Sequence, residues 1–377
     1  YKNFYNELYP TSMEEPLFWI HLNVDYPFNL TGILYFPKIK QDFTAPKEKI
    51  QLYSRQVFIT DEVKDIVPEF LTLLHGVIDS PDIPLNVSRS YLQADTSVKR
   101  INSYITKKVA DKIADMFKKD RADFEAKWDN FGFFVKFGMV TEDKFYDKAD
   151  KFFLFKNVDG KTFTIEEYLK HIEGNQTDKN DTKVILYTND VKKQHTFIQS
   201  AKKRACDVLV FDTPLASHLI NRLESKLEKV SFKRIDADII DKLIEKEQSL
   251  EVALTEEQKT SVKELFDKTI SRPNWTVNIE ALASDDLPVT IMLPEFMRRM
   301  KEMSALNGMD MGMMPESYNV IVNGNHPIIQ KIAEGKDEAA QTTIIKQTFD
   351  LALLSQGMLE GELLTDFIER SLSFVGK

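Results

Sequence analysis

The chain is most easily understood from residues 80–93, which read Ser80-Pro81-Asp82-Ile83-Pro84-Leu85-Asn86-Val87-Ser88-Arg89-Ser90-Tyr91-Leu92-Gln93. The two prolines predict a loop, and Ser88 is a good N-cap for a helical pattern that begins at Tyr91. The free backbone N–H groups at a helix N-terminus suit an anion. Arg89 lies in this first turn, where the helix dipole favours acidic residues, so its position indicates a negatively charged partner such as a phosphate. On these residues alone, a solvated surface arginine is the commoner explanation.

Length and composition indicate a globular protein of two or three domains. The 377 residues are 42% hydrophobic and 29% charged, which is ample for several cores. A formal net charge of −9 argues against general nucleic-acid binding, which usually shows a basic footprint. The single cysteine, Cys206, excludes an internal disulfide and fits a reducing, cytoplasmic compartment. No run of 18 apolar residues and no signal peptide is found, so no membrane association is expected.

The segments on either side of the loop have the pattern of an α/β layer with the loop at its rim. Apolar runs predict strands over 17–24, 30–36 and 50–59, and Asp61 caps a predicted helix that continues to Leu74 and leads into the loop. Apolar spacings of three and four predict two helices over 97–138, and more helix is expected over 142–155. Thr164 and Glu167 have the spacing of a capping box for a short helix.

The second half of the chain begins with a polar stretch, 173–182, that reads as a flexible connector. Strands over 183–188, 207–212 and 230–235 alternate with helices over 191–204 and 214–225, which predicts a small parallel sheet. A charged helical linker is expected over 236–254. The remaining predicted elements are a helix over 255–270, strands over 276–280, 288–292 and 318–322, and helices over 326–333, 336–358 and 362–374.

Three motifs resemble those of the Hsp90 chaperones, most closely the bacterial type. Asp79–Gln93 is similar to the long loop signature of that family, and Leu52–Ile59 looks like its LYVRRVFI strand. Asn325-His326-Pro327 resembles an element of the family's C-terminal domain. The motifs occur in the expected order, and the resemblance covers the whole chain.

The resemblance implies a multidomain α+β and α/β fold. A middle domain is expected over 1–235, with an αβα-layered, ribosomal S5-like larger subdomain over about 1–140 and a connector with a small βαβ subdomain over about 141–235. A mixed α/β dimerisation domain is expected over 236–377. The N-terminal ATPase domain is expected to be absent, so ATP and Mg²⁺ would belong to the full-length protein and none would bind this chain. Whether the chain alone counts as an enzyme is left open, and by itself it is expected to be inactive.

Three departures from the family pattern accompany the resemblance. Ser90 stands where the family usually has glutamate, and Asn323-Gly324-Asn325 replaces its usual Asn-Pro turn. The last residues, 373–377, lack the acidic pentapeptide that recruits TPR co-chaperones, so no TPR partner is expected.

The family's middle-domain loop implies a catalytic role for Arg89, which would contact the γ-phosphate of ATP in the N-terminal domain. Asn86 and Gln93 would be its polar supporters, positioning the loop or a water. Arg55 and Phe58 are expected on the strand beneath the loop. For Phe58, packing is favoured over contact with a partner on burial preferences.

A methionine-rich stretch is the predicted client-binding site. Eight of the 12 methionines lie between Met292 and Met314, and a Gly-interrupted methionine segment makes a poor core element. Methionine is flexible and polarisable, which suits surfaces that bind varied apolar partners. The resemblance places the family's client helix here, with Trp19 as a weaker second surface; the residues of the helix's apolar face are Phe296, Met297, Met300 and Met303.

The two terminal helices carry apolar residues around more than one face. On a monomer they would leave an exposed apolar patch, and pairing with a two-fold mate would give a four-helix bundle. A homodimer is therefore expected, as the resemblance also implies, through Ile345, Phe349, Leu353, Leu354, Leu364, Phe367, Ile368 and Leu372.

The sequence therefore favours an ATP-dependent chaperone that binds unfolded client proteins, with an Hsp70-type system as a further candidate partner. The alternative is an ATP-independent holdase or scaffold module. Metal or hydrolytic chemistry has little support, because the six histidines show no ligand spacing and Cys206 has no partner motif. His326, before a proline, reads as a structural turn residue.

Overall fold

The computed structural model describes residues 1–12, 14–38, 49–61, 63, 67–83, 96–246, 250–294, 297 and 317–375, of which 374 and 375 are described by their backbone alone. Its contacts group into two compact units. The first comprises residues 1–170 and 213–228, and the second comprises 171–212 and 229–377. Across the described residues the fold is mixed α and β, with several separate sheets, as the sequence predicted.

The first unit is built on a five-stranded sheet. Its spatial order is first, second, fifth, third and fourth strand, with the first and fourth at the edges. All neighbours are antiparallel except the third and fifth, which run parallel. In chain order the strands are Phe18–Val24, Leu30–Phe36, Ile50–Ser54, Val57–Thr60 and His75–Asp79.

Aromatic side chains cover both faces of this sheet because successive strand residues point to opposite sides. On one face Phe18 and Phe36 stack at 4.1 Å, and Phe36 meets Phe134 of the helix Arg121–Thr141 edge to face at 4.9 Å. On the other face Tyr35 packs with Tyr5 of the helix Lys2–Leu8 and with Tyr9, which caps that helix. The central strands are thus buried between helices, which keeps their position well defined.

Two predictions for the segment between the second strand and the loop are wrong. The run 50–59 is a tight hairpin of two strands rather than one strand. The helix predicted from Asp61 to Leu74 is, within the described residues, a short 3₁₀ helix, Glu69–Leu73, after Pro68. A central strand, His75–Asp79, follows it and was not predicted. The apolar spacing over 61–74 fitted a helix, whereas His75–Asp79 is a strand because it pairs with a strand on each side.

Helices and one small hairpin complete the first unit. The helix predicted over 142–155 is only Asp143–Ala149, because Phe155–Lys156 pairs with Thr162–Phe163. The capping box is confirmed: the Glu167 amide donates to Thr164 Oγ1 at 3.2 Å, and the Thr164 amide donates to Glu167 Oε2 at 2.8 Å. The other helices are Thr96–Lys119, Arg121–Thr141, Ile165–Ile172 and Ala216–Lys226.

The second unit contains the predicted parallel sheet. In this sheet the strand Lys183–Thr188 lies between Val230–Arg234 and Val208–Val210. The helix His195–Lys203 connects Lys183–Thr188 to Val208–Val210. The preceding polar stretch is tied down by a buried side chain. Gln176 donates to the Val184 carbonyl at 2.9 Å and accepts from the Asp207 amide at 2.6 Å. Within the described part of 236–254, the predicted helical linker reduces to one turn, Ile240–Leu243.

A second three-stranded sheet carries the C-terminal helices. Tyr318–Asn323 lies between Trp275–Glu280, to which it is parallel, and Val289–Met292, to which it is antiparallel. Buried apolar residues from these strands and the surrounding helices form one core. Those helices are Glu256–Ile270, Pro327–Glu334, Glu338–Ser355 and Gly361–Val375.

Candidate functional site

The root of the loop is firmly attached to the sheet. Ser80 is completely buried; its Oγ donates to the Asn29 carbonyl at 2.6 Å, and its amide donates to the Tyr53 carbonyl at 3.1 Å. Asp82 Oδ2 accepts the Asn29 amide at 2.6 Å. Ile83 is buried as well. The first four residues of the predicted loop therefore serve as an anchor that fixes where the loop leaves the sheet.

A strained turn lies beside this anchor. Arg55 and Gln56 join the hairpin strands, and both adopt the left-handed conformation, with φ of 52° and 65°. Side chains with a Cβ adopt this conformation at a cost of roughly 1–2 kcal/mol each, and two-residue hairpins with this geometry usually contain glycine or asparagine. The turn is held by Asp79, whose Oδ2 accepts the Gln56 amide at 2.7 Å. Oδ1 of Asp79 is buried and has no hydrogen-bond partner within the described residues.

The tip of this hairpin is an exposed apolar surface. Val57 is 62% exposed and Phe58 53% exposed, although the Phe58 ring also touches Tyr53 edge to face at 5.7 Å. Phe58 was expected to be a packing residue, and its exposure favours the alternative, contact with a partner. Arg55 lies in the turn rather than on a strand.

The three predicted catalytic residues, Asn86, Arg89 and Gln93, lie outside the described residues, which resume at 96. What the structure places is the anchor before them and, after them, the helix Thr96–Lys119. Their roles stay predictions.

The predicted client-binding segment is also largely outside the described residues. Phe296, Met300 and Met303 are not described, and Met297 is described alone, as partly buried. The strand Val289–Met292 leads directly into this segment. Trp19 lies on the edge strand of the first sheet, where its ring stacks on Tyr1 at 5.3 Å and is partly buried.

The structure divides the predicted dimer residues into two groups. One group is buried in the core of the chain itself: Ile345, Phe349, Leu353 and Phe367. Leu364 is partly buried against the same core. The other predicted residues, Leu354, Ile368 and Leu372, are exposed, and Leu372 is the most accessible at 65%. Leu351 and Leu363 of the same helices are exposed as well, so the exposed group consists of Leu351, Leu354, Leu363, Ile368 and Leu372.

Polar contacts fix the two terminal helices against each other. Arg370 on the last helix forms an ion pair with Asp350 and donates through Nε to Gln347 Oε1 at 2.7 Å. Gln347 in turn donates to Ser371 Oγ at 2.9 Å. The exposed leucines are therefore presented on a preformed helical pair.

Sequence reasoning missed one ionic cluster in the second unit. Arg204, at the end of the helix His195–Lys203, donates to both oxygens of Asp241 at 3.0 and 2.9 Å and to Asp286 Oδ2 at 2.6 Å. Burial lowers the pKa of Arg204, but the hydrogen bonds to Asp286 and Asp241 outweigh this effect and raise it. Arg204 and Asp286, together with Ser200, border a cavity of about 170 Å³. The three charges are far apart in sequence, so no local pattern could have joined them.

The remaining candidate groups have structural roles or none. Burial raises the pKa of the Cys206 thiol to about 11, which disfavours the reactive thiolate. His326 caps the helix Pro327–Glu334 by accepting the Ile328 amide at Nδ1, 3.0 Å away, and burial lowers its pKa. Among the described residues, no group of three or more histidine, cysteine or carboxylate side chains could hold a metal ion. No described helix has the length and apolarity that crossing a bilayer would require.

Comparison with known proteins matches almost the whole chain. The family model described as Hsp90 protein matches residues 1–373. Chaperone protein HtpG of Porphyromonas gingivalis is 50% identical over 359 residues, which cover 94% of this chain and 52% of that protein. Its counterpart in Bacteroides fragilis is 41% identical over 444 residues, covering 100% of this chain and 65% of that protein. The chain spans about half to two thirds of the length of these curated relatives.

The chain belongs to the Hsp90 family, as its loop signature had indicated. Within that family it is of the bacterial HtpG type, as the identities to the two HtpG chaperones show.

Proposed function

We propose that this chain works as the client-binding, dimerising part of an ATP-dependent molecular chaperone. The observation that carries the proposal is the family match over residues 1–373, which includes the loop at 80–93. The anchoring of that loop at Ser80 and Asp82 supports the proposal, since a catalytic loop needs a fixed point of departure.

In this proposal the loop supplies a cation to ATP bound elsewhere in the complete protein. Phosphoryl transfer concentrates negative charge on the γ-phosphate oxygens, and the planar guanidinium of Arg89 can bridge two of them. Delivery of the arginine only in a closed state would couple hydrolysis to conformation.

The exposed hairpin tip is proposed as a contact surface in the same cycle. Val57 and Phe58 lie one tight turn from the loop root and expose apolar surface that a partner could bury. A partner that covers this tip would sit beside the loop root.

Dimerisation is proposed through the exposed face of the terminal helices. Only the exposed group, Leu351, Leu354, Leu363, Ile368 and Leu372, can reach a second copy, since the buried group already forms the chain's own core.

Replacing Ile368 and Leu372 together by aspartate is expected to dissociate the dimer, because each change would bury an unpaired carboxylate in the interface. We expect the dimer dissociation constant to rise at least about 100-fold, which light scattering at micromolar concentration would detect as a monomer. Val191→Asp, at another exposed apolar position, is the matched control and is expected to leave the dimer intact. A double variant that stays dimeric would contradict the proposed interface.

Client binding is proposed at the methionine-rich segment, with Trp19 as a second surface. Replacing Met297, Met300 and Met303 by serine is expected to weaken suppression of the aggregation of an unfolded protein severalfold, because each change removes flexible apolar surface. Light scattering of the aggregating client measures this effect. Leu250→Ser, at an exposed apolar site, is the control. Unchanged suppression by the triple variant would contradict the assignment.

A refolding assay with the same client, followed alongside its aggregation, separates the proposal from the alternative of an ATP-independent holdase. In the complete protein, ATP is expected to change the yield of refolded client, whereas a holdase would suppress aggregation equally with and without ATP. An Hsp70-type system as partner and a cytoplasmic location are carried as parts of the proposal by the family resemblance.

A further inference from the structure

In the hairpin turn, Arg55 and Gln56 are adjacent residues in the left-handed conformation, which their side chains disfavour. Neither is glycine or asparagine, so the turn does not persist through its own preference. Such residues persist only where their surroundings impose the conformation, and they concentrate at functional sites. Here the strained turn lies next to the residues from which the loop departs.

The side chain of Asp79 connects the strained turn to the loop root. Tyr53, just before the turn, is the register partner of Asp79 in the parallel strand pair. Asp79 reaches past the strand end and accepts the Gln56 amide through Oδ2 at 2.7 Å. The next residue, Ser80, donates its amide to the Tyr53 carbonyl at 3.1 Å. The end of one strand and the turn of its neighbour are thus crosslinked by hydrogen bonds on both sides.

We infer that Asp79 is a positioning residue for ATP hydrolysis, acting by locking the strained 55–56 turn and the loop root, residues 80–83, into one rigid block. A carboxylate is suited to this task because a hydrogen bond from an amide to a charged acceptor is about twice as strong as a neutral one. Without it, the Gln56 amide loses its acceptor and the turn is free to relax towards conformations that side chains prefer. The loop would then depart from a root that is no longer fixed.

This inference rests on the proposed role of the loop. Asp79 itself would touch neither nucleotide nor phosphate. Its removal should therefore lower the turnover number for ATP and leave the KM for ATP nearly unchanged, since misplacement by about 1 Å can cost about 100-fold in rate.

The test measures steady-state ATP hydrolysis and thermal unfolding of the complete protein carrying Asp79→Ala, Asp79→Asn, or Asp79→Ala with Gln56→Gly. Asp61→Ala, an exposed carboxylate just beyond the same hairpin, is the control. Asp79→Ala is expected to reduce turnover about 10- to 100-fold. Asp79→Asn keeps an oxygen acceptor and should retain most of the rate. Gln56→Gly removes the conformational cost at position 56 and should restore much of the rate to the alanine variant. The rates are measured well below the unfolding temperature of each variant, where a general loss of stability would not lower turnover.

Arg89→Ala is measured in parallel to separate this inference from the proposed function. If Arg89→Ala abolishes hydrolysis while Asp79→Ala keeps the wild-type turnover, the inference about Asp79 is overturned and the proposed function stands. A loss in Asp79→Ala that Gln56→Gly does not repair also overturns the inference. Wild-type turnover in Arg89→Ala overturns the proposed function itself. Should Asp79→Ala fail to fold, the double variant is compared with Asp79→Asn. Similar turnover in these two variants supports the inference, and a much lower turnover in the double variant overturns it.

Discussion

Replacing Gly76 by alanine is expected to destabilise the first unit by about 4 kcal/mol or more, the range reached only by a few severe mechanisms. A Cβ at this position would lie 2.0 Å from the carbonyl oxygen of Ile33, in the adjacent strand, and φ is +141°, where side chains rarely fit. The Gly76 amide also donates to the Tyr9 hydroxyl at 2.7 Å, so a shift of the backbone would break a buried hydrogen bond. Neither strand can yield, because both are in the middle of the sheet.

The matched control is Gly160→Ala. Gly160 also has a positive φ, +79°, but a Cβ there would have nothing within 4 Å. This variant should cost only about 1 kcal/mol, from backbone conformation alone. Denaturant unfolding of the two variants measures the difference, and equal losses would contradict the close strand approach at Gly76. Since the strand His75–Asp79 ends at the loop root, Gly76→Ala should also displace the root and lower the rate of ATP hydrolysis by the complete protein.

The elements that could be predicted from sequence are those with strong local signals. The capping box at Thr164 and Glu167 and the alternating strands of the small parallel sheet were found because neighbouring residues specify them. The loop signature was found because its residues are contiguous. In each case a short window contains the information that decides the structure.

Other elements depend on partners that are distant in the chain. His75–Asp79 is a strand because it pairs with both Leu30–Phe36 and Ile50–Ser54, and its five residues have no clear pattern of their own. The 55–56 turn carries no glycine signal, and its support comes from Asp79, more than 20 residues away in sequence. Long-range contacts override local preference at such positions.

The terminal helices illustrate a different limit. Their apolar residues are apparent from sequence, but the chain's own sheet and helices bury Ile345, Phe349 and Leu353. Burial by the same chain and burial by a second copy require the same residue types, so composition cannot separate them. Only the position of the core identifies the leucines that remain exposed.

Arg89→Ala is expected to slow ATP hydrolysis by the complete protein about 1000-fold, the lower end of what an arginine delivered to a transferring phosphate contributes. The loss should fall on the chemical step, because the arginine acts where charge develops and not where the nucleotide is held. Arg89→Lys keeps the charge but loses the planar fork, so it should recover only part of the rate.

The control for charge is Arg100→Ala, an exposed arginine on the helix that follows the loop. It removes the same charge from the same region, so a general electrostatic effect would appear in both variants. If Arg89 makes a specific contact with phosphate, the rate of hydrolysis should fall only in Arg89→Ala.

Single-turnover hydrolysis at saturating ATP tests whether residues 80–93 complete an ATP-hydrolysing site. Arg89→Ala is expected to lose about three orders of magnitude in rate, while Arg100→Ala should hydrolyse ATP at nearly the wild-type rate. An Arg89→Ala protein that folds, dimerises and hydrolyses ATP as fast as the wild type would show that the loop does not complete the site.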